Sequence, residues 1–76
     1  MAVIKSLKIG QRAKVIGFGT LSLDFRLRLY GLGIYKNVEF SLMHIAPLGC
    51  PIALQVGNTL LSLRYNEIEQ MQLEIL

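Results

Sequence analysis

Glycine and proline cut this 76-residue chain into short pieces, and no other feature limits its fold as strongly. Gly17-Phe18-Gly19, Gly31-Leu32-Gly33, Pro47-Leu48-Gly49-Cys50-Pro51 and Gly57-Asn58 are all turn or loop signals. Most of the segments between them alternate apolar and polar residues at period two, the mark of a half-buried strand. Arg12 to Phe18 is one, with Ala13 and Val15 opposed to Arg12 and Lys14. Lys8-Ile9-Gly10-Gln11 forms a turn into it, and Leu7 and Ile9 are placed to cover the end of the resulting barrel. Val38 to Ile45 is a second strand, entered through Asn37, a residue that tolerates positive φ. The two prolines end this strand and start the next, because they donate no ladder hydrogen bond. Ile52 to Val56 and Thr59 to Tyr65 flank Gly57-Asn58 as a hairpin. Ile52, Leu54 and Val56 share one face, and Leu61, Leu63 and Tyr65 share a face of the returning strand. Asn66 and Glu69 have the spacing of a capping box over a single helical turn, and Met71, Leu73 and Ile75 then alternate with Gln72 and Glu74.

One segment breaks the pattern. Leu21 to Leu32 has helical periodicity, with Thr20 or Ser22 as N-cap, Asp24 in the first turn and Gly33 as a left-handed C-terminal cap. At 100° per residue, Leu21, Phe25, Leu29 and Leu32 fall within about 80° and define a core-facing stripe. Leu23, Leu27 and Tyr30 form a second stripe, about 60° wide, on the opposite side. A helix on a small barrel buries one side, so this second stripe has no intramolecular partner. The expected fold is therefore mainly β: a small barrel of about five strands with one inserted α-helix, spanning about residues 21–32. Barrel closure would remove exposed edges. Residues 1–76 are expected to form a single domain.

Composition decides several function classes. Hydrophobic residues make up 53% and charged residues 17%, which excludes a disordered chain and lets so short a chain fill a core. A single cysteine, Cys50, excludes an internal disulfide and a CxxC-type zinc site. No apolar run approaches the length of a membrane span, and the first residues do not form a secretory signal, so a cytoplasmic protein without direct membrane insertion is expected. Charge is uneven. Residues 1–38 carry Lys5, Lys8, Arg12, Lys14, Arg26, Arg28 and Lys36 against Asp24 alone, a net of +6, while residues 39–76 carry a net of −3. Such a basic half attracts an acidic partner or a phosphate backbone, or is merely a solvated face.

Reactive chemistry is sparse. The chain has one His, one Cys and one Asp. The only Asp lies in the helix, remote from His44 and Cys50, which leaves no set for a catalytic triad. Glu67 and Glu69, two residues apart, do not face one another on a helix. His44 and Cys50 are candidate ligands for a weak transition-metal contact, but two ligands do not close a structural zinc site. Nucleic-acid binding wants basic residues interleaved with exposed aromatics. Only Tyr30 and Tyr35, near Arg26, Arg28 and Lys36, fit, since Phe25 belongs to the core stripe and Phe18 and Phe40 to strand positions. No catalytic residue is assigned, and nucleic acid is a third-ranked partner.

Ala46-Pro47-Leu48-Gly49-Cys50-Pro51-Ile52 resembles the APLGDPI loop of the FeoA family of bacterial ferrous iron transport. Arg26-Leu27-Arg28-Leu29-Tyr30-Gly31-Leu32-Gly33-Ile34 is similar to that family's RxxLxxLGL/M helix end. Leu7, Gly10, Ala13 and Val15 match its opening LxxGxxAxV, and Leu61-Ser62-Leu63-Arg64 its L-x-L-R strand. Ile68 stands where the family often has the Ala of an EA pair. Three positions depart from the pattern: Cys50 replaces the loop Asp, Lys36-Asn37 replaces a Pro-Gly turn, and Leu27 replaces one of a basic pair. Cys50 is a far poorer hydrogen-bond acceptor than Asp. The resemblance implies an SH3-like barrel with an inserted helix, and action beside FeoB, a membrane permease with a cytosolic GTPase domain. It implies a non-enzymatic accessory module that contacts its partner rather than carrying iron. The same barrel in iron-dependent repressors suggests the alternative of a metal-linked regulatory domain. No cofactor is expected to be required, and any Fe(II) or Zn(II) binding is expected to be weak. Leu23, Arg26, Leu27 and Tyr30 are expected to contact FeoB or a second copy of the chain, and Pro47, Leu48, Gly49, Cys50 and Pro51 form the family-motif loop.

Overall fold

The alternation seen in the sequence is the burial pattern of the strands in the computed structural model, which describes residues 2–76. β1 (Arg12–Gly17) buries Ala13 and Val15 and turns Arg12 and Ile16 to solvent. β2 (Glu39–Ile45) buries Phe40 and Leu42, and β3 (Ile52–Val56) buries Ile52 and Leu54. β4 (Thr59–Leu63) and β5 (Gln72–Ile75) contribute Leu63 and Leu73. A 3-10 turn at Ile4–Ser6 precedes β1, α1 (Leu23–Gly31) joins β1 to β2, and a one-turn helix, α2 (Tyr65–Ile68), joins β4 to β5. All ladders are antiparallel and the strand order is β4-β3-β2-β1-β5. This is the five-stranded fold with an inserted helix that the sequence predicts, of the SH3-like type the resemblance implies, but the expected closure is not made: β4 and β5 do not pair and the sheet keeps two edges.

Two turns set the register. Gly57, at φ +58°, opens the hairpin that pairs Val56 with Thr59. Positive φ at the first central residue only is the type II′ turn that strand twist favours. Asn37, at φ 75°, lets its N–H reach the Val15 carbonyl at 2.6 Å, while the Val15 N–H donates to the Val38 carbonyl at 2.9 Å. β2 is thereby started against β1.

α1 has the caps its sequence specifies. Ser22 Oγ accepts from the Phe25 N–H at 3.4 Å. At the other end Gly33, at φ +94°, donates to the Tyr30 carbonyl and Ile34 donates to that of Leu29, at 3.0 and 2.9 Å. This pair of bonds is a Schellman motif. The helix is shorter than the expected 21–32, because Ser22 rather than Thr20 caps it and Leu21 stays in the connection. Its expected core stripe is only half right. Leu21 and Leu29 are buried, but Phe25 and Leu32 are exposed. The apolar anchors of the helix on the barrel are Leu21, before its first turn, and Leu29 with Ile34 at its Schellman end.

Two smaller expectations also change. Leu7 is buried, but Ile9 sits at the corner of the turn made by Gly10 at φ +93° and faces water. The cap of α2 is Arg64 with Glu67, not Asn66 with Glu69: Glu67 Oε1 accepts the Arg64 N–H at 3.1 Å. The helical turn starts at Tyr65, which puts Glu67 and Ile68 on the buried side.

The fully buried side chains, among them Val15, Leu29, Ile34, Leu42, Leu54, Ile68, Met71 and Leu73, come from β1, α1, β2, β3, α2, β5 and their connections. β4 and β5 are the sheet edges and form no ladder with each other. Ala2 covers part of the β5 edge by exchanging two hydrogen bonds with Leu73, at 2.9 and 2.7 Å. Among the described residues no helix is long and apolar enough to cross a membrane.

Candidate functional site

The outer face of α1 follows from helix periodicity on a helix that is only partly seated. Leu23 and Leu27, one turn apart, are 58% and 54% exposed, and Tyr30 lies exposed a turn further on. The second stripe predicted from sequence is therefore on the surface, while the unexpectedly exposed Phe25 and Leu32 lie on the opposite side of the helix and are not part of it. Tyr30 is held by an edge-on contact with the buried Phe18 ring, centroids 5.5 Å apart and planes at 80°. A ring fixed on one side and open on the other is a low-entropy anchor for a partner.

The two arginines of the helix behave differently. Arg28 is exposed and sets its Nε 3.0 Å from Glu67 Oε2. The N–H is not aligned on that oxygen, so the contact is ionic and not a hydrogen bond. Arg26 is half-buried, with its Nε shielded from water and no acceptor in reach. Glu67 itself is 3% exposed. Sequence reasoning weighed it only against Glu69 and missed its role, although a Glu three residues after the last residue of a strand-ending L-x-L-R is the cap signal that could have found it.

The family-motif loop is a second exposed feature. Pro47, Leu48, Gly49, Cys50 and Pro51 are all on the surface, and the Leu48 side chain is 96% exposed. The loop is closed by Gly49 N–H to the Ala46 carbonyl at 2.7 Å and Ala46 N–H to the Pro51 carbonyl at 3.1 Å. Cys50, free and exposed, lines an apolar groove of about 420 Å³ with Ile4, Ile45, Leu48, Ile52 and Tyr65. Lys5 stands at this groove with its Nζ 5.4 Å from the centre of the Tyr65 ring. The groove is the mouth of the barrel beneath the loop, a concavity that no residue pattern announced.

His44 is exposed in β2 and pairs across the ladder with Ala53. Among the described residues no three His, Cys, Asp or Glu side chains gather where they could hold a metal ion. The exposed aromatics beyond the α1 face are few: Tyr35 is exposed, while Phe18 and Phe40 are buried.

Comparison with known proteins gives a consistent family. The sequence model of the FeoA domain matches residues 4–75. No protein of curated function matches the sequence. Among solved structures, iron(II) transport protein A from Clostridium thermocellum superposes with a TM-score of 0.90 at 27% identity, over 99% of this chain and 46% of its own. The chain thus spans less than half the length of that relative. A FeoA protein from Chlorobium tepidum superposes with a TM-score of 0.88 at 33% identity, over 99% of this chain and 70% of its own. FeoA of Stenotrophomonas maltophilia, complexed with zinc, superposes with a TM-score of 0.77 at 26% identity, over 97% of this chain and 91% of its own. That protein is described as a prokaryotic SH3 domain protein suggested to act as a ferrous iron transport activating factor.

Proposed function

The chain belongs to the FeoA family, and from that premise we propose that it is a non-enzymatic accessory module of ferrous iron uptake that acts in the cytoplasm on the cytosolic part of a FeoB-type permease. The observation that carries this is the outer face of α1, where Leu23, Leu27 and Tyr30 stand exposed beside Arg26 and Arg28. Apolar and aromatic anchors with an adjacent arginine are the side chains that dominate protein interfaces. The sparse contact of α1 with its own barrel supports the same reading. A helix that keeps so much apolar surface in water forgoes stability unless something covers that surface. The basic excess of residues 1–38 would speed encounter with an acidic partner surface. A second copy of the chain is the other occupant such a face could take.

The test is capture of the cytosolic GTPase domain of FeoB by the immobilised chain. Wild type should retain it. Leu27→Glu places a carboxylate at a position half in solvent, so the fold should persist while capture is lost. Capture by a folded Leu27→Glu protein would remove this face as the interface. Sedimentation of the isolated chain separates the second-copy case: concentration-dependent dimers that Leu27→Glu abolishes would assign the face to self-association.

A further inference from the structure

The two edges of the sheet are not treated alike. The ladder that β5 makes with β1 is broken by a bulge at Ile16 of β1, and β5 itself carries Glu74 and is capped by the exchange between Ala2 and Leu73. β4, Thr59-Leu60-Leu61-Ser62-Leu63, has none of these protections: no charge, no proline and no irregularity in its ladder with β3. Charges, prolines and bulges are how proteins keep an edge strand from pairing with another chain.

The free groups of this edge can be named. The two-residue turn makes Val56–Thr59 a hydrogen-bonded pair, so Leu54–Leu61 and Ile52–Leu63 are too, and Leu60 and Ser62 point their N–H and C=O away from the sheet. Among the described residues, no side chain or backbone outside the ladder bonds to any of Thr59–Leu63. Leu60, 60% exposed, lies on the outer face. At its C-terminal end the edge runs straight to the barrel-mouth groove, because Leu63 pairs with Ile52, a groove residue, and Tyr65, two residues on, is another. Arg64 and Lys5 stand at that end, and neither is in an ion pair among the described residues.

We propose that the β4 edge and the groove together dock an extended peptide segment of another protein, added antiparallel to β4 as a sixth strand. Two peptide residues would exchange four hydrogen bonds with Leu60 and Ser62. Running antiparallel, the N-terminal end of the segment reaches the groove, where an apolar side chain fits against Ile45, Ile52 and Tyr65. The two unpaired cations there call for carboxylates on its neighbours. This surface is separate from the α1 face and does not depend on the reading proposed above.

The experiment is a titration of the ¹⁵N-labelled full chain with the synthetic peptide Glu-Leu-Glu-Val-Thr-Val-Thr, followed by amide chemical shifts. Saturable shifts are expected at Leu60, Ser62, Arg64, Tyr65 and Lys5. N-methylation of alternate peptide residues removes the donors facing β4 and should weaken binding by about tenfold or more. Exchanging both Glu for Lys should abolish it. Ser62→Pro removes an outward donor without touching the ladder to β3 and should have the same effect. If that variant does not fold, the modified peptides still decide. The proposal is overturned if these amides do not shift, if the shifts map to α1, or if the N-methylated peptide binds as well as the parent. It is equally overturned if the same shifts arise from raising the concentration of the chain alone, which would make a second copy the occupant.

Discussion

Replacing Glu67 separates the two ways a buried carboxylate can act in this fold. Its Oε1 caps α2 by accepting the Arg64 N–H at 3.1 Å, its methylenes are packed at 3% exposure, and its Oε2 lies 3.0 Å from Arg28 Nε. Glu67→Ala removes the cap, the ionic contact and one of the two methylenes, since Cβ remains as the Ala methyl. A lost cap costs about 1 kcal/mol. The lost buried methylene contributes about 0.8 kcal/mol. Arg28 is 64% exposed on its side chain, so solvent screens the ionic contact and it contributes less than about 1 kcal/mol. The total is about 2–3 kcal/mol for Glu67→Ala. Glu67→Gln keeps an acceptor for the cap and keeps the methylenes, and loses only the ionic contact. It should cost between zero and about 1 kcal/mol, since removing a buried charge also relieves its desolvation. In a domain this small 1 kcal/mol moves Tm by about 4–8 °C. Thermal unfolding followed by circular dichroism should therefore show Glu67→Ala lower by about 10–20 °C and Glu67→Gln by no more than about 8 °C. Equal losses for the two variants would mean that charge, not capping and packing, dominates. An unchanged Tm for Glu67→Ala would refute the assignment of the cap.

Gly19 and Gly33 both have left-handed backbones, but a Cβ at Gly33 meets nothing within 4 Å, whereas one at Gly19 would lie 2.7 Å from the Gln70 carbonyl oxygen. Urea unfolding should show Gly33→Ala destabilised by about 1–2 kcal/mol and Gly19→Ala by clearly more. Titration with Fe(II) or Zn(II) should reveal at most a weak site that His44→Ala removes, because among the described residues no three His, Cys, Asp or Glu side chains gather where they could hold an ion. A tight site of one ion per chain would instead favour the metal-linked regulatory alternative.

Strand positions, turns and the caps of α1 were legible because each rests on local chemistry. Period-two burial in β1, positive φ at Asn37 and Gly57, and the Schellman end at Gly33 all depend on residues close together in the chain. What was not legible depends on how elements meet. Periodicity placed Phe25 and Leu32 on the same stripe as Leu29, but only the docking of α1 decides that Leu29 alone is buried. Glu67 was misread for a similar reason, because its burial follows from the packing of α2 against the barrel and the approach of Arg28 from α1. The groove beneath the Pro47–Pro51 loop joins residues from the 3-10 turn, β2, β3 and α2, and no linear pattern contains it. The α1 face was found from sequence because an amphipathic helix with two apolar stripes can hide only one of them.

The proposed function turns on whether, and where, a FeoB-type permease touches the chain. Amide spectra of the ¹⁵N-labelled chain, recorded as the cytosolic GTPase domain of FeoB is added, report this residue by residue. The account predicts that Leu23, Leu27, Tyr30 and their neighbours on α1 shift or broaden first, while the core strands stay unchanged. Binding that leaves α1 unperturbed, or no binding at all, would contradict it.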